Sequence, residues 1–154
     1  PYDPWRTQEA LYSISYFDAG PVIVAPAGAV ETIEAPKDLD GRTVHVEYGS
    51  EGDVQARRLQ KKLGDLQIET HDTADDALRA ALEGPVGAAI VDHVSARLFI
   101  RARADEASVG ESLYEELYVV AVHPRAESLQ AAIDEALVKL RESGELEALL
   151  DRWL

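Results

Sequence analysis

The sequence predicts an α/β fold in which a mixed, mostly parallel sheet is flanked by helices. Between residues 43 and 92, strand-like and helix-like segments alternate in the order strand, helix, strand, helix, strand. Such alternation places parallel strands side by side through right-handed helical crossovers. An apolar run at residues 21–25 adds a buried strand, and an amphipathic segment at residues 129–140 adds a helix.

Each element follows from its local pattern. Residues 43–48 alternate polar and apolar side chains, as in a half-buried strand, and Gly49 ends them. Ser50 stands three residues before Asp53, which is typical of the N-cap of a helix, and we expect this helix to run to about Leu63. The other predicted elements are a strand at 66–69, a helix from Thr73 to Gly84-Pro85, a strand at 87–91, a helix at 94–102, a strand at 117–122, and helices at 129–140 (closed by Gly144) and 146–153.

Composition excludes several classes of partner. The chain has 154 residues, 46% of them apolar, so it can bury the core of one domain. Its 29 acidic and 15 basic residues give a net charge of −14, which disfavours nucleic acid and anionic membrane surfaces. It has no Cys, and its longest uncharged stretch, residues 19–30, is shorter than the roughly 20 residues that cross a bilayer. Because the chain begins at Pro1 without an apolar leader, we expect any export signal to lie upstream.

The strand ends predict where a ligand would bind. In parallel sheets, ligands collect at the carboxyl ends of the strands. Residues 49–52 follow the first strand of the alternating unit, and Asp92 follows its third. The first place also offers the free amides of a helix N-terminus, which suit a carboxylate or a phosphate.

Catalytic and metal-binding motifs are absent from the sequence. His45, His71, His93 and His123 are 22 to 30 residues apart, so none forms an i,i+4 pair, and we predict no metal site. The chain has neither a G-x-S-x-G elbow nor a P-loop. We therefore predict no cofactor and no enzymatic activity.

Five stretches, in order along the chain, carry a family pattern. They are Arg6 with Ser13, Tyr16-Phe17 and Gly20; DLDGRTVHVEYGS at 38–50; GPVGAAIVD at 84–92; residues 117–123; and residues 137–153, which end in Trp153. Together they resemble family-3 extracellular solute-binding proteins of the amino-acid ABC transporter type. The chain departs from the family at Gly87, where Asp is usual, and at Glu51, where Thr, Ser or Gly is usual.

The resemblance implies a type II periplasmic-binding-protein-like fold with lobe 2 complete and lobe 1 largely missing. Residues 1–26 would be the end of lobe 1 and the first hinge strand, 27–117 would be lobe 2, and 118–154 the second hinge strand with C-terminal lobe-1 helices. The implied function is the extracytoplasmic solute-binding component of an ABC importer, with a membrane permease as partner. The implied location is periplasmic or extracellular, with a lipid anchor upstream as one option. The alternatives are a receptor's ligand-sensing domain and a periplasmic prephenate/arogenate dehydratase-like enzyme.

The resemblance also implies roles for single residues. A polar amino acid or related ammonium compound would bind between the lobes, its α-carboxylate held by Arg6 and the Ser50 loop and its α-ammonium by Asp92. Each residue has a structural alternative: Arg6 as an ordinary exposed arginine, Ser50 as an N-cap alone, Asp92 as the cap of the next helix. Tyr16 could contact ligand or pack. Glu51 would compete with an incoming anion, or point to solvent.

The apolar stripe of the 129–140 helix has a further consequence. In the family it would pack against a lobe-1 sheet that this chain lacks, as would the segment around Trp153. An exposed stripe of this length is an association site. We therefore expect either a homodimer formed through residues 125–154 or a folding of these helices onto the chain's own lobe, together with poor ligand affinity of the isolated chain.

Overall fold

The structure, a computed structural model, describes residues 1–27, 33, 35–83, 87–101, 103 and 105–154. These residues form two compact units. The first unit comprises Pro1–Ala19 and Glu115–Leu154, and the second comprises Gly20–Tyr114. The predicted helix stop at Gly84-Pro85 and the first three residues of the 84–92 family stretch lie outside the described residues.

A five-stranded mixed sheet forms the centre of the second unit. Its strands are β3 (Pro21–Pro26), β4 (Thr43–Glu47), β5 (Gln67–His71), β6 (Ala88–Asp92) and β7 (Ala107–Ser112), in the spatial order β5-β4-β6-β3-β7. β4 pairs in parallel with β5 and β6, whereas β3 runs antiparallel to β6 and β7. The predicted mixed sheet is confirmed. It contains two antiparallel pairings because β3 and β7 lie outside the alternating unit, so no helical crossover fixes their direction.

Three helices connect and cover these strands. They are α1 (Glu51–Gln60), α2 (Ala74–Glu83) and α3 (His93–Ile100). α1 begins at Ser50, as predicted, and α2 begins after Thr73, whose Oγ1 accepts a hydrogen bond from the Asp76 amide at 3.2 Å. A 3₁₀ helix, Pro36–Leu39, precedes β4. The predicted order of strand, helix, strand, helix, strand between residues 43 and 92 is confirmed.

The sheet buries apolar side chains on both faces. One core cluster joins Val22 and Val24 of β3 and Val91 of β6 to α2 and α3. The other joins Ile23 and Ala25 of β3, the valines of β4 and Ile90 of β6 to Ala56 of α1. Because successive residues of a strand point to opposite faces, β3 and the first four residues of β6 are all apolar, as expected for strands covered on both sides.

The first unit contains two short antiparallel pairs and two helices. β1 (Leu11–Tyr12) pairs with β9 (Ala121–Val122), and β2 (Phe17–Asp18) pairs with β8 (Leu117–Tyr118). Between the pairs, buried Ser13 donates its amide to the Val120 carbonyl and accepts the Val120 amide on its Oγ, both at 2.9 Å. The strand predicted at 117–122 is therefore two strands of two residues each, with a side chain bridging the break.

The C-terminal helices α4 (Glu127–Glu142) and α5 (Glu145–Trp153) follow the prediction closely, and Gly144 joins them with a φ of +76°. Three hydrogen bonds tie α4 to residues 12–15: Asp134 accepts from the Ile14 amide, Gln130 donates to the Tyr12 carbonyl, and Arg141 donates to the Ser15 carbonyl. Among the described helices, none is both long and apolar enough to span a membrane. The lobe boundaries 26/27 and 117/118 stay a prediction.

Candidate functional site

The loop between β4 and α1 is held by its own side chains. Ser50 Oγ accepts the Asp53 amide at 3.2 Å, and Asp53 in turn accepts the Gly49 amide on Oδ2 at 3.1 Å. The buried Asp53 carboxylate also lies 2.8 Å (Oδ1) from Arg57 Nε, although this contact lacks hydrogen-bond geometry. Gly49 adopts a φ of +73°, which only glycine takes without strain. The N-terminus of α1 is thus pre-formed.

A close backbone approach places this loop beside the end of β6. A Cβ added at Gly52 would stand 2.2 Å from the carbonyl oxygen of Ile90, far inside van der Waals contact. Ile90 lies two residues before Asp92 on β6, the strand adjacent to β4. The structure therefore brings the Ser50 loop and the end of β6 together, as the order of elements predicted.

Asp92 caps the helix that follows it. Its Oδ1 accepts the Ser95 amide at 2.9 Å, and its side chain is exposed. The capping alternative is therefore realised, while the ligand-binding role stays a prediction. A carboxylate at a helix N-terminus is also favoured by the helix dipole.

Glu51 lies along the surface of α1. It is exposed, and its Oε1 accepts from Gln55 Nε2 at 2.9 Å, one turn further on. Of the two options for this residue, the structure shows the solvent-facing one, in which the carboxylate does not occupy the helix N-terminus.

Arg6 and Tyr16 belong to the first unit. Arg6 closes a 3₁₀ helix (Pro4–Arg6), is exposed, and pairs through Nε with Glu9 Oε2 at 2.9 Å. The hydrogen bond from Arg6 to Glu9 and the charge of Glu9 raise the pKa of Arg6. Tyr16 is half-buried and donates its amide to the Tyr118 carbonyl at 3.0 Å. Of the five predicted site residues, Ser50, Glu51 and Asp92 share the second unit, and Arg6 and Tyr16 share the first.

The structure contains a cluster of two histidines and a glutamate that the sequence did not predict. His45 of β4 and His71 of β5 approach to 3.0 Å between Nδ1 and Nε2, and Glu69 Oε2 lies 3.5 Å from His45 Nδ1. The pKa of His45 is lowered. Burial is the main cause, the charge of Glu69 opposes it in part, and His71 adds to the lowering. Because the two histidines are 26 residues apart, only the parallel register of β4 and β5 reveals this cluster.

A cavity of about 250 Å³ lies between α2 and α3. Its lining includes Arg79, which is paired with Asp75 at 2.6 Å, and Arg103, whose guanidinium lies 4.3 Å from the centre of the Phe99 ring. Neither Ser50 nor Asp92 lines it, although Ser95, whose amide Asp92 caps, does. These charged side chains already have partners, so we do not assign the ligand to this cavity.

The α/β architecture is that of type II periplasmic binding protein domains. Among solved structures, substrate-binding domain 2 of GlnP from Lactococcus lactis, in an open conformation, matches with a TM-score of 0.81 and 19% identity over 99% of this chain and 66% of that one. The second substrate-binding domain of a putative amino-acid ABC transporter from Streptococcus pneumoniae matches with a TM-score of 0.79 and 21% identity, over 99% of this chain and 69% of that one. At these identities the likeness shows the fold.

The curated relatives are named as amino-acid-binding proteins. The L-cystine-binding protein TcyJ of Escherichia coli (strain K12) is 24% identical over 149 residues, 96% of this chain and 55% of TcyJ. The arginine-binding extracellular protein ArtP of Bacillus subtilis (strain 168) is 24% identical over 97% of this chain and 58% of ArtP. The chain thus spans little more than half the length of these relatives. No protein-family model matches the chain. The predicted resemblance to amino-acid-binding proteins of ABC transporters is confirmed.

Proposed function

We propose that this chain is part of an extracytoplasmic solute-binding protein of an ABC importer that binds a polar amino acid or a related small ammonium compound in an interlobe cleft. The names of its relatives support this class of function. A membrane permease as partner and a periplasmic or extracellular location belong to the same proposal, with a lipid anchor as one way of holding the protein there.

The adjacency of the Ser50 loop and Asp92 carries the proposal. The helix N-terminus at Ser50 presents amides and a positive dipole end to an anion, whereas Asp92 presents a carboxylate to a cation. An amino acid carries both charges on neighbouring atoms. The close packing of Gly52 on Ile90 holds the two elements together. A zwitterion is therefore the ligand class that this edge of the sheet suits best.

In this proposal, Arg6 and Tyr16 supply the remaining contacts. A planar guanidinium binds a carboxylate through two parallel hydrogen bonds. Since Arg6 is paired with Glu9 at the surface, a ligand carboxylate would replace Glu9 as its partner. Tyr16 would offer its ring as a packing surface for the ligand's side chain. Glu51, exposed beside the Ser50 amides, would favour a cationic side chain on the ligand.

Replacing Asp92 by Asn tests the proposal. Asn caps helices as well as Asp does, so Asp92→Asn should leave α3 intact while removing the charge. Truncating one partner of a buried charge pair costs about 2–5 kcal/mol, so we expect affinity for an amino acid to fall at least about 30-fold. Calorimetric titration of the full-length protein with a panel of amino acids and amines measures this.

The matched control is Asp65→Asn, which removes an equal charge from an exposed position before β5, at the opposite edge of the sheet from the strand ends that carry Ser50 and Asp92. It should bind like the parent. Equal affinity of Asp92→Asn and the parent would remove Asp92 from the site, and a panel that gives no heat with the parent would contradict the ligand class.

The sensor and dehydratase alternatives use the same fold. A dehydratase needs a catalytic acid near its ligand, and Glu51, next to Ser50, would be the carboxylate for that role. Its carboxylate is exposed and bonded to Gln55, so burial does not set it apart from an ordinary surface glutamate. The curated relatives are named as binding proteins, which favours transport.

We also propose that the chain self-associates through α4 and α5. Neither helix has a buried residue, and Leu129 and Trp153 are 53% and 66% exposed. On the same face of α4, Ile133, Leu137 and Leu140 are half-buried. The apolar stripe of α4 is thus only partly covered within its own unit, and Leu129, with Trp153 on α5, is left as an exposed apolar strip.

A further inference from the structure

We propose that His45, Glu69 and His71 form a Zn²⁺-binding site on the α2 face of the second unit's sheet. One ligand atom from each residue lies within 4.8 Å of the others. Two imidazoles and a carboxylate are a donor set that zinc takes in proteins, usually with a water in the fourth position. This proposal uses none of the residues proposed for amino-acid binding.

The strand register explains why these three side chains meet. In the parallel ladder, His45 stands opposite Glu69, and Glu47 stands opposite His71. His45, Glu69 and His71 therefore point to one face of the sheet, and Val44, Val46 and Ile68 point to the other. The ligand atoms come from two hydrogen-bonded strands, so their backbone positions are fixed before any ion arrives.

The distances between donor atoms fit a zinc ion. Zn–N bonds of about 2.0–2.1 Å at tetrahedral angles separate two donors by about 3.3 Å. The two ring nitrogens are 3.0 Å apart, and the Glu69 oxygen is 3.5 Å from His45 Nδ1. Small rotations of the rings would bring the donors to this spacing, with the His45 proton held on Nε2 so that Nδ1 is free to bind the ion.

Burial restricts the His45 ring. The residue is 7% exposed, so the side chains and backbone packed around it limit its movement. Glu69, whose side chain is 64% exposed, leaves the cluster open to solvent. A path for an ion from water therefore leads to the two facing ring nitrogens of His45 and His71.

Gly87 makes room for this histidine. A Cβ at Gly87 would lie 3.3 Å from His45 Nε2 and 3.1 Å from the Ala81 carbonyl oxygen. Aspartate is usual at this position in the family that the sequence resembles. Its side chain would press against both the His45 ring and the backbone of α2. The glycine and the histidine therefore fit each other sterically.

Titration with ZnCl₂ tests the proposal, with MgCl₂ as the control for weak attraction of divalent cations to a chain of net charge −14. We expect one Zn²⁺ per chain, bound more tightly than about 10 µM, and no matching uptake of Mg²⁺, which prefers oxygen ligands. His71→Gln should weaken zinc binding at least about 100-fold, more than loss of an outer-sphere partner costs. The matched control, His123→Gln in the first unit, should bind as the parent does.

A second measurement uses the unsubstituted protein, so it does not depend on whether the variants fold. It records the nuclear magnetic resonance signals of the imidazole nitrogens during zinc titration. Zn²⁺ should shift His45 Nδ1 and His71 Nε2 and leave the His93 and His123 rings unchanged. Equal zinc affinity of His71→Gln and the parent, equal uptake of Mg²⁺, or shifts confined to His93 and His123 would overturn the site. Failure of amino-acid binding would leave it standing.

Discussion

Gly52 shows how one missing side chain positions a binding edge. Its α-carbon faces the Ile90 carbonyl so closely that a methyl group would overlap the oxygen, and that oxygen belongs to backbone, which cannot turn aside. The first turn of α1 can pack on β6 only because residue 52 is glycine. The sequence placed Gly52 only among residues 49–52 after the first strand, and the structure assigns it a packing role.

Substitution of this glycine gives a direct prediction. Gly52→Ala should destabilise the protein by about 1–3 kcal/mol, because overpacking forces α1 away from β6. Urea denaturation followed by circular dichroism measures the free energy of unfolding. Gly64→Ala is the matched control: nothing lies within 4 Å of its added methyl and its φ is not positive, so its effect should stay between neutral and about 1 kcal/mol stabilising. Equal effects of the two substitutions would contradict the packing role.

At the scale of elements, the hydrogen bonds of α4 explain how an exposed helix stays docked in the first unit. Asp134 accepts the Ile14 amide at 2.8 Å in the segment between β1 and β2. With Gln130 and Arg141, it satisfies backbone groups of residues 12–15. Since α4 has no buried residue, we infer that these bonds fix the register of α4 on the first unit.

Removing the Asp134 carboxylate should loosen this contact. Asp134→Ala leaves the Ile14 amide unpaired, and we expect a loss of about 1 kcal/mol together with faster hydrogen exchange at Ile14. Asp134→Asn keeps an acceptor oxygen and should restore protection. Glu135→Ala, which breaks an exposed pair with Lys139, should change stability by less than about 0.5 kcal/mol. Unchanged exchange at Ile14 in Asp134→Ala would contradict the anchoring role.

The elements differ in how far the sequence could predict them. The unit from β4 to β6 was predictable because the strand and helix periods alternate cleanly and Ser50 marks a cap. β7 was not predicted, since Ala107, Ser108 and Gly110 show no apolar run; its place depends on pairing with β3, far away in sequence. The pairs β1–β9 and β2–β8 are two residues long, which is too short for any periodicity.

The same distinction between local signals and distant pairing applies to the candidate site residues. The positions of Ser50 and Asp92 as helix caps at strand ends were predictable because strand ends and caps are local signals. The cluster of His45, Glu69 and His71 was not, since two strands had to be set in register before the residues could be seen as neighbours. Gly87 could be noted as a departure from the family, but its meaning required the position of the His45 ring.

For the whole molecule, the exposed apolar strip on α4 and α5 predicts self-association. Sedimentation velocity over a range of concentrations should show a shift from monomer toward dimer. Leu129→Lys combined with Trp153→Lys should abolish that shift, because each change places a charge in the apolar contact. Glu142→Lys, an exposed charge reversal on α4 that changes the net charge by the same +2, is the comparison for altered net charge. A parent that stays monomeric at every concentration would contradict this proposal.

The first unit is built from two separate stretches of the chain, and this predicts the order in which the two units fold during synthesis. The second unit is continuous from Gly20 to Tyr114, so its strands are synthesised before α4 and α5. The first unit has to pair residues 11–18 with residues 117–122 and then add α4 and α5, which are made only after the second unit. Since domains generally fold as units during synthesis, the N-terminal segment should wait, unpaired, while the segment that follows it folds. A nascent chain stalled when residue 114 has just left the ribosomal exit tunnel should therefore resist protease across the second unit and be cut within residues 1–19.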